Sequence, residues 1–243
     1  MLVDTRRALW VSGGLLAGAV VVGVLLVAPG THPSVQAVDD AVRRGAVAVQ
    51  NRPATTVAVA LSWLGSAWVN WPLRIAVLVL LAWRRHWLRL AALALAVASS
   101  EVLIGLVKAA VDRPRPPGSL IDTSGAAFPS GHAIASAVTA VGLVLAVVPP
   151  GAARWRWEVR AVVFAVVMAL SRVYLRAHWL TDTVAGGLLG AGLALGWPAL
   201  LMAMRHGTRR ADVVPGGRRA RRPRTRGGRG DQDGPSPPVR TPA

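Results

Sequence analysis

Three short stretches of this sequence carry polar side chains that an apolar surrounding would exclude unless they had chemistry to do. The first, KAAVDRPRP, contains Lys108, Arg115 and Pro116. The second is Pro129, Ser130, Gly131 and His132, and the third begins Ser171-Arg172 and continues to His178 and Asp182. Lys108, Arg115 and Arg172 would repel one another in a dry pocket, and they become compatible once the pocket holds a multiply charged anion. Arginine offers a planar fork that matches phosphate oxygens, and lysine a point charge. Ser130 suits the N-cap of a helix, from which the Gly131 and His132 amides would point at an anion. His178 and Asp182 share a face if a helix begins near His178; otherwise the turn must bring them together. A carboxylate that accepts from one imidazole nitrogen leaves the other facing the substrate. His132, on a different element, is free to act as an acid. Two histidines with different partners suit a double displacement, in which one attacks phosphorus and the other protonates the leaving oxygen.

Positioning these groups falls to helices long and apolar enough for a membrane. A span needs about 20 apolar residues, and six candidates follow: residues 8–28, 69–83, 87–111, 132–148, 159–175 and 183–204. The second has an uncertain start, because Pro72 and Arg74 interrupt it after a helical segment that begins at Thr55. Residues 35–49 place Val35, Val38, Val42 and Val49 at helical spacing among Asp39, Asp40, Arg43 and Arg44, which predicts a short extracytoplasmic helix on the membrane surface. Residues 112–129 form a Pro- and Gly-rich loop. Gly186, Gly190, Gly192 and Gly196 predict close helix packing along the last span. Glu101, seven residues before Lys108 and so about 10 Å deeper in the third span, is predicted to pair with Arg74 or to help hold Lys108.

Composition agrees with a polytopic membrane protein. Of the 243 residues, 53% are hydrophobic and only 16% charged, against about a quarter in soluble domains. Cysteine is absent, which excludes disulfides, thiolate catalysis and cysteine-based zinc sites. The net charge of +17 is unevenly spread: residues 1–204 hold 17 basic and 8 acidic side chains, residues 205–243 hold 11 and 3. The chain divides accordingly into a six-helix membrane domain, 1–204, and a basic tail, 205–243, too polar to bury a core. The tail is expected to hold anionic lipid headgroups. No aromatics interleave its arginines, so nucleic acid is not an expected partner. Arg6 and Arg7, the clusters at 84–89 and 154–160, and the tail all fall on one side of the six spans, which makes that side cytoplasmic and the three motifs extracytoplasmic. Trp10, Trp83, Trp87, Trp155 and Trp157 near the inner ends, and Trp68, Trp71 and Trp179 near the outer ends, read as interfacial anchors.

The three motifs together resemble the signature of the type 2 phosphatidic acid phosphatase superfamily, K-x6-R-P, then P-S-G-H, then S-R-x5-H-x3-D, with all eleven fixed positions matched. The resemblance covers the body, roughly residues 8–204, and not the tail. It implies that Lys108, Arg115, Ser130, Gly131 and Arg172 bind the phosphoryl group. His132 would be the acid, His178 the nucleophile that forms a phosphohistidine, and Asp182 its orienter. It also implies that neither a metal nor another cofactor is required, which agrees with a candidate pocket of three protein cations and no compact carboxylate cluster.

The leading expectation is therefore an integral-membrane lipid phosphatase acting at the outer leaflet on undecaprenyl diphosphate, phosphatidate, phosphatidylglycerophosphate or a similar lipid phosphate. Phosphotransfer to a sugar or inositol acceptor would use the same intermediate, and a lipid-binding protein without catalysis is the non-enzymatic alternative. The predicted topology has a direct check. Cysteines introduced by Ser119→Cys and Ala153→Cys should label oppositely with an impermeant thiol reagent on intact cells, Ser119→Cys reacting and Ala153→Cys not; the reverse pattern would invert the orientation.

Overall fold

The structure, a computed structural model, describes residues 4–211, with side chains up to His206. The described residues are helical and contain no strand. Eight helices follow in order: α1 (Thr5–Val27), α2 (His32–Ala48), α3 (Arg52–Leu64), α4 (Ala67–Trp83), α5 (Trp87–Val111), α6 (Gly131–Val147), α7 (Ala152–Tyr174) and α8 (Leu180–Ala211). Local chemistry sets many of the ends. Asn51 caps α3 by accepting from the Ala54 amide at 2.9 Å, with Pro53 in the first turn, where its missing N–H costs nothing. Ser130 caps α6. Asp112 takes a left-handed conformation (φ 38°, ψ 45°) that stops α5 and turns the chain into the loop carrying Arg113 and Arg115. The last helix runs through Arg205 to Ala211, seven residues past the predicted end of the membrane body; the remainder of the basic tail lies outside the described residues.

Three helices are long and apolar enough to cross a bilayer: α1, α5 and α8 as far as His206. Counting α3 and α4 as one span, bent by 43° at Gly65–Ser66, makes four. The other two predicted spans differ for separate reasons. The 17-residue α6 is apolar, but it reaches only about 25 Å at 1.5 Å per residue. The 23-residue α7 has the length but carries Arg154, Arg156, Glu158, Arg160 and Arg172. The predicted surface segment is α2, which starts three residues earlier than the valine pattern suggests.

α8 organises the bundle, packing against α1, α6, α5, α7 and α2. Its glycines work as two stripes. Gly186 and Gly190 face α6, where an added Cβ would come within 2.8 Å of the Ser130 carbonyl oxygen and 2.6 Å of the Ile134 carbonyl oxygen. Gly192 and Gly196 face α1, meeting Leu16 and Ser12. The Ser12 hydroxyl donates to the Gly192 carbonyl at 2.8 Å, a polar clasp inside an apolar contact. A buried cluster of Leu81, Leu93, Val97, Ile134, Val138 and Leu193 joins α4, α5, α6 and α8. Glu101 pairs with the fully buried Arg74 at 2.8 Å. Arg74 also donates to Thr139 and to the Ala135 carbonyl, so the pair binds α4 and α5 to α6 rather than holding Lys108.

Most of the predicted anchoring tryptophans are exposed as lipid contact requires, Trp10, Trp68, Trp83, Trp87 and Trp155 among them. Trp179 is the correction: it is 7% exposed and belongs to the frame of the candidate site. The glycine stripe yields a test. Gly190→Ala should destabilise the protein by about 1–3 kcal/mol, because the new methyl meets backbone that cannot yield. Gly187→Ala, where nothing lies within 4 Å, should be neutral or slightly stabilising. Thermal denaturation in detergent checks both.

Candidate functional site

The three motifs converge at one end of the bundle, where α5 and α7 end and α6 and α8 begin. Backbone bonds make the junction. The Ser130 amide donates to the Asp182 carbonyl at 3.0 Å, the Ala127 amide to the Arg113 carbonyl at 2.8 Å, and the Leu120 amide to the Leu175 carbonyl at 3.0 Å. The 113–130 loop is thus stitched both to the start of α8 and to the turn after α7.

His178 lies in that turn, two residues ahead of α8, and is 3% exposed. Its Nδ1 is 2.8 Å from the Ala127 carbonyl oxygen. A carbonyl oxygen only accepts, so Nδ1 carries the proton in the neutral ring and Nε2 keeps its lone pair. Nε2 faces Arg115 Nη1 at 3.3 Å. Burial pushes the His178 imidazole below its ordinary value; the Asp182 carboxylate opposes that shift, and Arg115 and Arg172 add to it. The residue is therefore a neutral imidazole whose free lone pair points at a guanidinium.

Asp182 differs from the simple orienter that its spacing suggests. Its Oδ2 is 3.6 Å from His178 Nδ1, beyond hydrogen-bonding distance. The same oxygen accepts from the Trp179 amide at 2.9 Å, the reach-back of a capping box at the start of α8. Its Oδ1 accepts from Arg113 at 2.7 Å. The Ala127 carbonyl therefore fixes the imidazole's tautomer, while Asp182 supplies negative charge alongside.

The three cations have neutral partners. Lys108 Nζ donates to the Ala126 carbonyl. Arg115 donates to the Ser124 carbonyl at 2.7 Å, the Ala177 carbonyl at 2.8 Å and the Gly125 carbonyl at 2.9 Å. Arg172, 3% exposed, donates from one terminal nitrogen to the Ser62 hydroxyl, and its buried Nε has no partner. Among the described residues none of the three is ion-paired. Burial lowers the pKa of Arg115, and Asp182 partly offsets it. The three cations gather here without a carboxylate bonded to any of them, and the unpaired Arg172 Nε is a buried donor without a partner.

His132 sits in the first turn of α6, near enough to Arg172, His178 and Arg115 to feel their charges, with the Ser62 main chain against its ring. Gly65, at the α3–α4 break, lies close beneath it: a Cβ there would come within 3.0 Å of His132 Cδ2. Ser130 caps the helix with its hydroxyl, and Gly131 is the first helical residue. All eight residues singled out in the sequence thus lie around this one junction.

Several neighbours were not foreseen. Arg113 is 5% exposed, bridges Asp182 and Asp39, and stacks over Trp179 with its guanidinium 5.2 Å from the ring centroid. Trp179 Nε1 donates to the Pro114 carbonyl at 2.9 Å. One signal was available for Asp39: it stands four residues after Val35 and three before Val42, a carboxylate on the apolar stripe of α2. Ser62 gave none, because its contacts come from a distant part of the chain.

Residues 89–205 match the family model described as the PAP2 superfamily. The chain is similar to the PAP2 superfamily over that stretch, 117 of its 243 residues. Over 81% of its length it resembles the crystal structure of a transmembrane PAP2-type phosphatidylglycerolphosphate phosphatase from Bacillus subtilis, with TM-score 0.67, 25% identity and 96% of that chain covered. It shares a fold with Aquifex aeolicus LpxE at TM-score 0.54 and 21% identity, over 64% of this chain and 91% of that one. In sequence it is 28% identical over 173 residues to the phosphatidylglycerophosphatase B of Bacillus subtilis, 68% of this chain and 85% of the relative. It is 37% identical over 67 residues to an undecaprenyl-diphosphatase of Sulfolobus acidocaldarius, a match that spans 28% of this chain and 30% of that protein's length. The family match begins in α5, so α2 and α3, which carry Asp39 and Ser62, lie outside it.

The state of His178 sets a pH dependence. Its pKa in the folded protein is below its ordinary value of about 6.5. As pH falls through 6.5, the unfolded chain takes a proton that the folded one refuses, so stability drops, and the drop levels off only below the folded pKa. Melting temperature in detergent should fall between pH 7 and pH 5, and fall less in His178→Gln, which has no group to titrate.

Proposed function

We propose that this chain is an integral-membrane, metal-independent lipid phosphatase that hydrolyses a phosphomonoester or diphosphate of a lipid through a phosphohistidine. The observation that carries the proposal is the neutral His178, whose Nε2 lone pair faces Arg115 while Nδ1 is held by the Ala127 carbonyl. A phosphoryl group bound by Arg115 would lie against that lone pair.

In this reading Lys108, Arg115, Arg172 and the amides at the Ser130-capped start of α6 receive the phosphoryl oxygens. Their present carbonyl and hydroxyl partners hold the donors in place without cancelling their charge. His178 Nε2 attacks phosphorus, the N–P bond forms as the P–O bond to the lipid breaks, and His132 gives its proton to the leaving oxygen. Water then attacks the phosphohistidine, His132 takes one of its protons, and the N–P bond breaks to release phosphate. Cations fixed beforehand stabilise the charge that gathers on the equatorial oxygens without reorganising. Asp182 steadies the imidazolium character that His178 acquires.

The substrate class follows from where the site lies and from the relatives' names. A phosphate pocket at the end of an apolar bundle suits a headgroup whose chains remain in lipid, of the undecaprenyl diphosphate, phosphatidate or phosphatidylglycerophosphate type. We further propose six spans, with α3–α4 as one broken span and α6 and α7 completing the set. The termini would be cytoplasmic, the site extracytoplasmic, and the basic tail held by anionic headgroups. The site's position at the end opposite the Arg84–Arg85 and Arg154–Arg160 turns supports that orientation.

The test is phosphate release by the purified protein from a panel of lipid phosphates and diphosphates, with EDTA present, combined with acid-quench trapping of ³²P. His178→Ala should abolish turnover and the acid-labile phosphoenzyme. His132→Ala should lose about 10²–10⁴-fold on an alkyl ester and much less on p-nitrophenyl phosphate, whose leaving group departs without a proton. A phosphoenzyme that survives His178→Ala and vanishes in His132→Ala would exchange the two roles.

A further inference from the structure

We propose that Asp39, on α2, is a positioning residue of the hydrolytic site: by pairing with the far side of the Arg113 guanidinium, it leaves Asp182 its negative charge beside His178. The inference rests on the phosphatase reading and extends it to a helix that the family match does not reach.

The geometry is a buried triad. One terminal nitrogen of Arg113 donates to Asp182 Oδ1 at 2.7 Å and the other to Asp39 Oδ2 at 2.7 Å. Both carboxylates have fully buried side chains, and the guanidinium between them is 4% exposed. Gln36 Oε1 takes a further Arg113 proton at 2.8 Å, and the Trp179 ring covers the guanidinium face. Asp39 also grips the residue next to Asp182: its Oδ1 accepts from the Thr181 amide at 3.0 Å and its Oδ2 from the Thr181 hydroxyl at 2.6 Å.

Charge accounting gives this arrangement its consequence. Asp39, Arg113 and Asp182 together carry −1. With Asp39 neutral the sum is zero, because Arg113 then answers Asp182 alone. In a low-dielectric interior a change of one unit at this range is strongly felt. It would be felt at His178, whose Nδ1 is 3.6 Å from Asp182 and which is otherwise surrounded by Arg115, Arg172 and His132. The step affected is the one that builds positive charge on the imidazole. Lys108, Arg115 and Arg172 keep their hydrogen-bond partners, since none of these touches Asp39, so the phosphoryl group still meets the same donors.

Asp39→Asn tests the proposal: it preserves the shape and the oxygen facing the Thr181 amide, removes the charge, and puts an amide donor where Arg113 and the Thr181 hydroxyl had an acceptor. With the full-length protein and a lipid phosphate in detergent, kcat should fall at least about tenfold while KM stays within about twofold. Combining Asp39→Asn with Arg113→Met restores the sum of −1, and leaves Asp182 held by the Trp179 amide without its guanidinium. The double variant should regain most of the lost kcat, with folding followed by thermal melting. If Asp39→Asn alone fails to fold, the double variant decides: turnover near wild type supports the inference and a tenfold loss overturns it. An Asp39→Asn protein as active as wild type, or one whose loss lies in KM, overturns it. A wild-type protein that releases no phosphate from any lipid phosphate overturns the phosphatase reading and this inference with it.

Discussion

The contact between the N-terminal turns of α6 and α8 is the constraint on which the site depends. The Ser130 amide donates to the Asp182 carbonyl, and Gly186 and Gly190 let the α6 backbone approach so closely that a methyl group would not fit. This contact carries two assignments at once. It puts His132, in the first turn of α6, beside the turn that holds His178, and it aims the α6 N-terminus into the same space. Without a hydrophobic drive between helices in lipid, such close backbone approach is how a bundle obtains its packing energy. The packing glycines are therefore as much a part of the site's geometry as the residues that line it.

A second constraint is electrostatic. Three cations converge where the bundle is apolar, and a protein without a bound anion has to hold them there. Carbonyl oxygens of the 124–126 segment and of Ala177, with the Ser62 hydroxyl, do so through dipoles instead of charge. A carboxylate partner would cancel their charge; a carbonyl orients the donors and leaves the charge in place. The carboxylates are kept one layer back. Asp182 and Asp39 close on Arg113, not on Lys108, Arg115 or Arg172, so the negative charge reaches His178 without quenching the pocket.

The helices assembled around this end also explain the bend between α3 and α4. The break at Gly65 lies against His132 and Met168, where a side chain would intrude, and Ser62, one turn earlier, reaches Arg172. Two elements outside the family-matched stretch, α2 and α3, thus close the site from the side that the three motifs leave open.

Much of this was legible in the sequence, for identifiable reasons. Apolar runs of membrane length betray helices because lipid leaves the backbone no other partner; α1 and α5 appear within three residues of their predicted bounds, and α8 starts three residues early and runs seven past its predicted end. The grouping of the eight candidate residues at one junction was legible because they stand at the starts and ends of consecutive helices, and such positions survive as spacing. The pairing of Glu101 with Arg74 was legible as one of two alternatives, since an intramembrane carboxylate has few partners to choose from. Spacing could not decide which atom holds which. A separation of four positions between His178 and Asp182 suggests a direct bond, yet α8 begins two residues after His178, so Asp182 caps the helix and the Ala127 carbonyl accepts from the imidazole. Trp179 looked like an interfacial anchor by position and is buried under Arg113. Asp39, Arg113 and Ser62 meet Thr181, Asp182 and Arg172 across 142, 69 and 110 residues of chain respectively, and no local pattern encodes a contact made only when α2 and α3 fold back onto the starts and ends of other helices. Residue types and their periods determined the helices and which side chains are candidates for chemistry; the tertiary structure decided the hydrogen-bond partners and the charge balance, because both depend on distances that only packing sets.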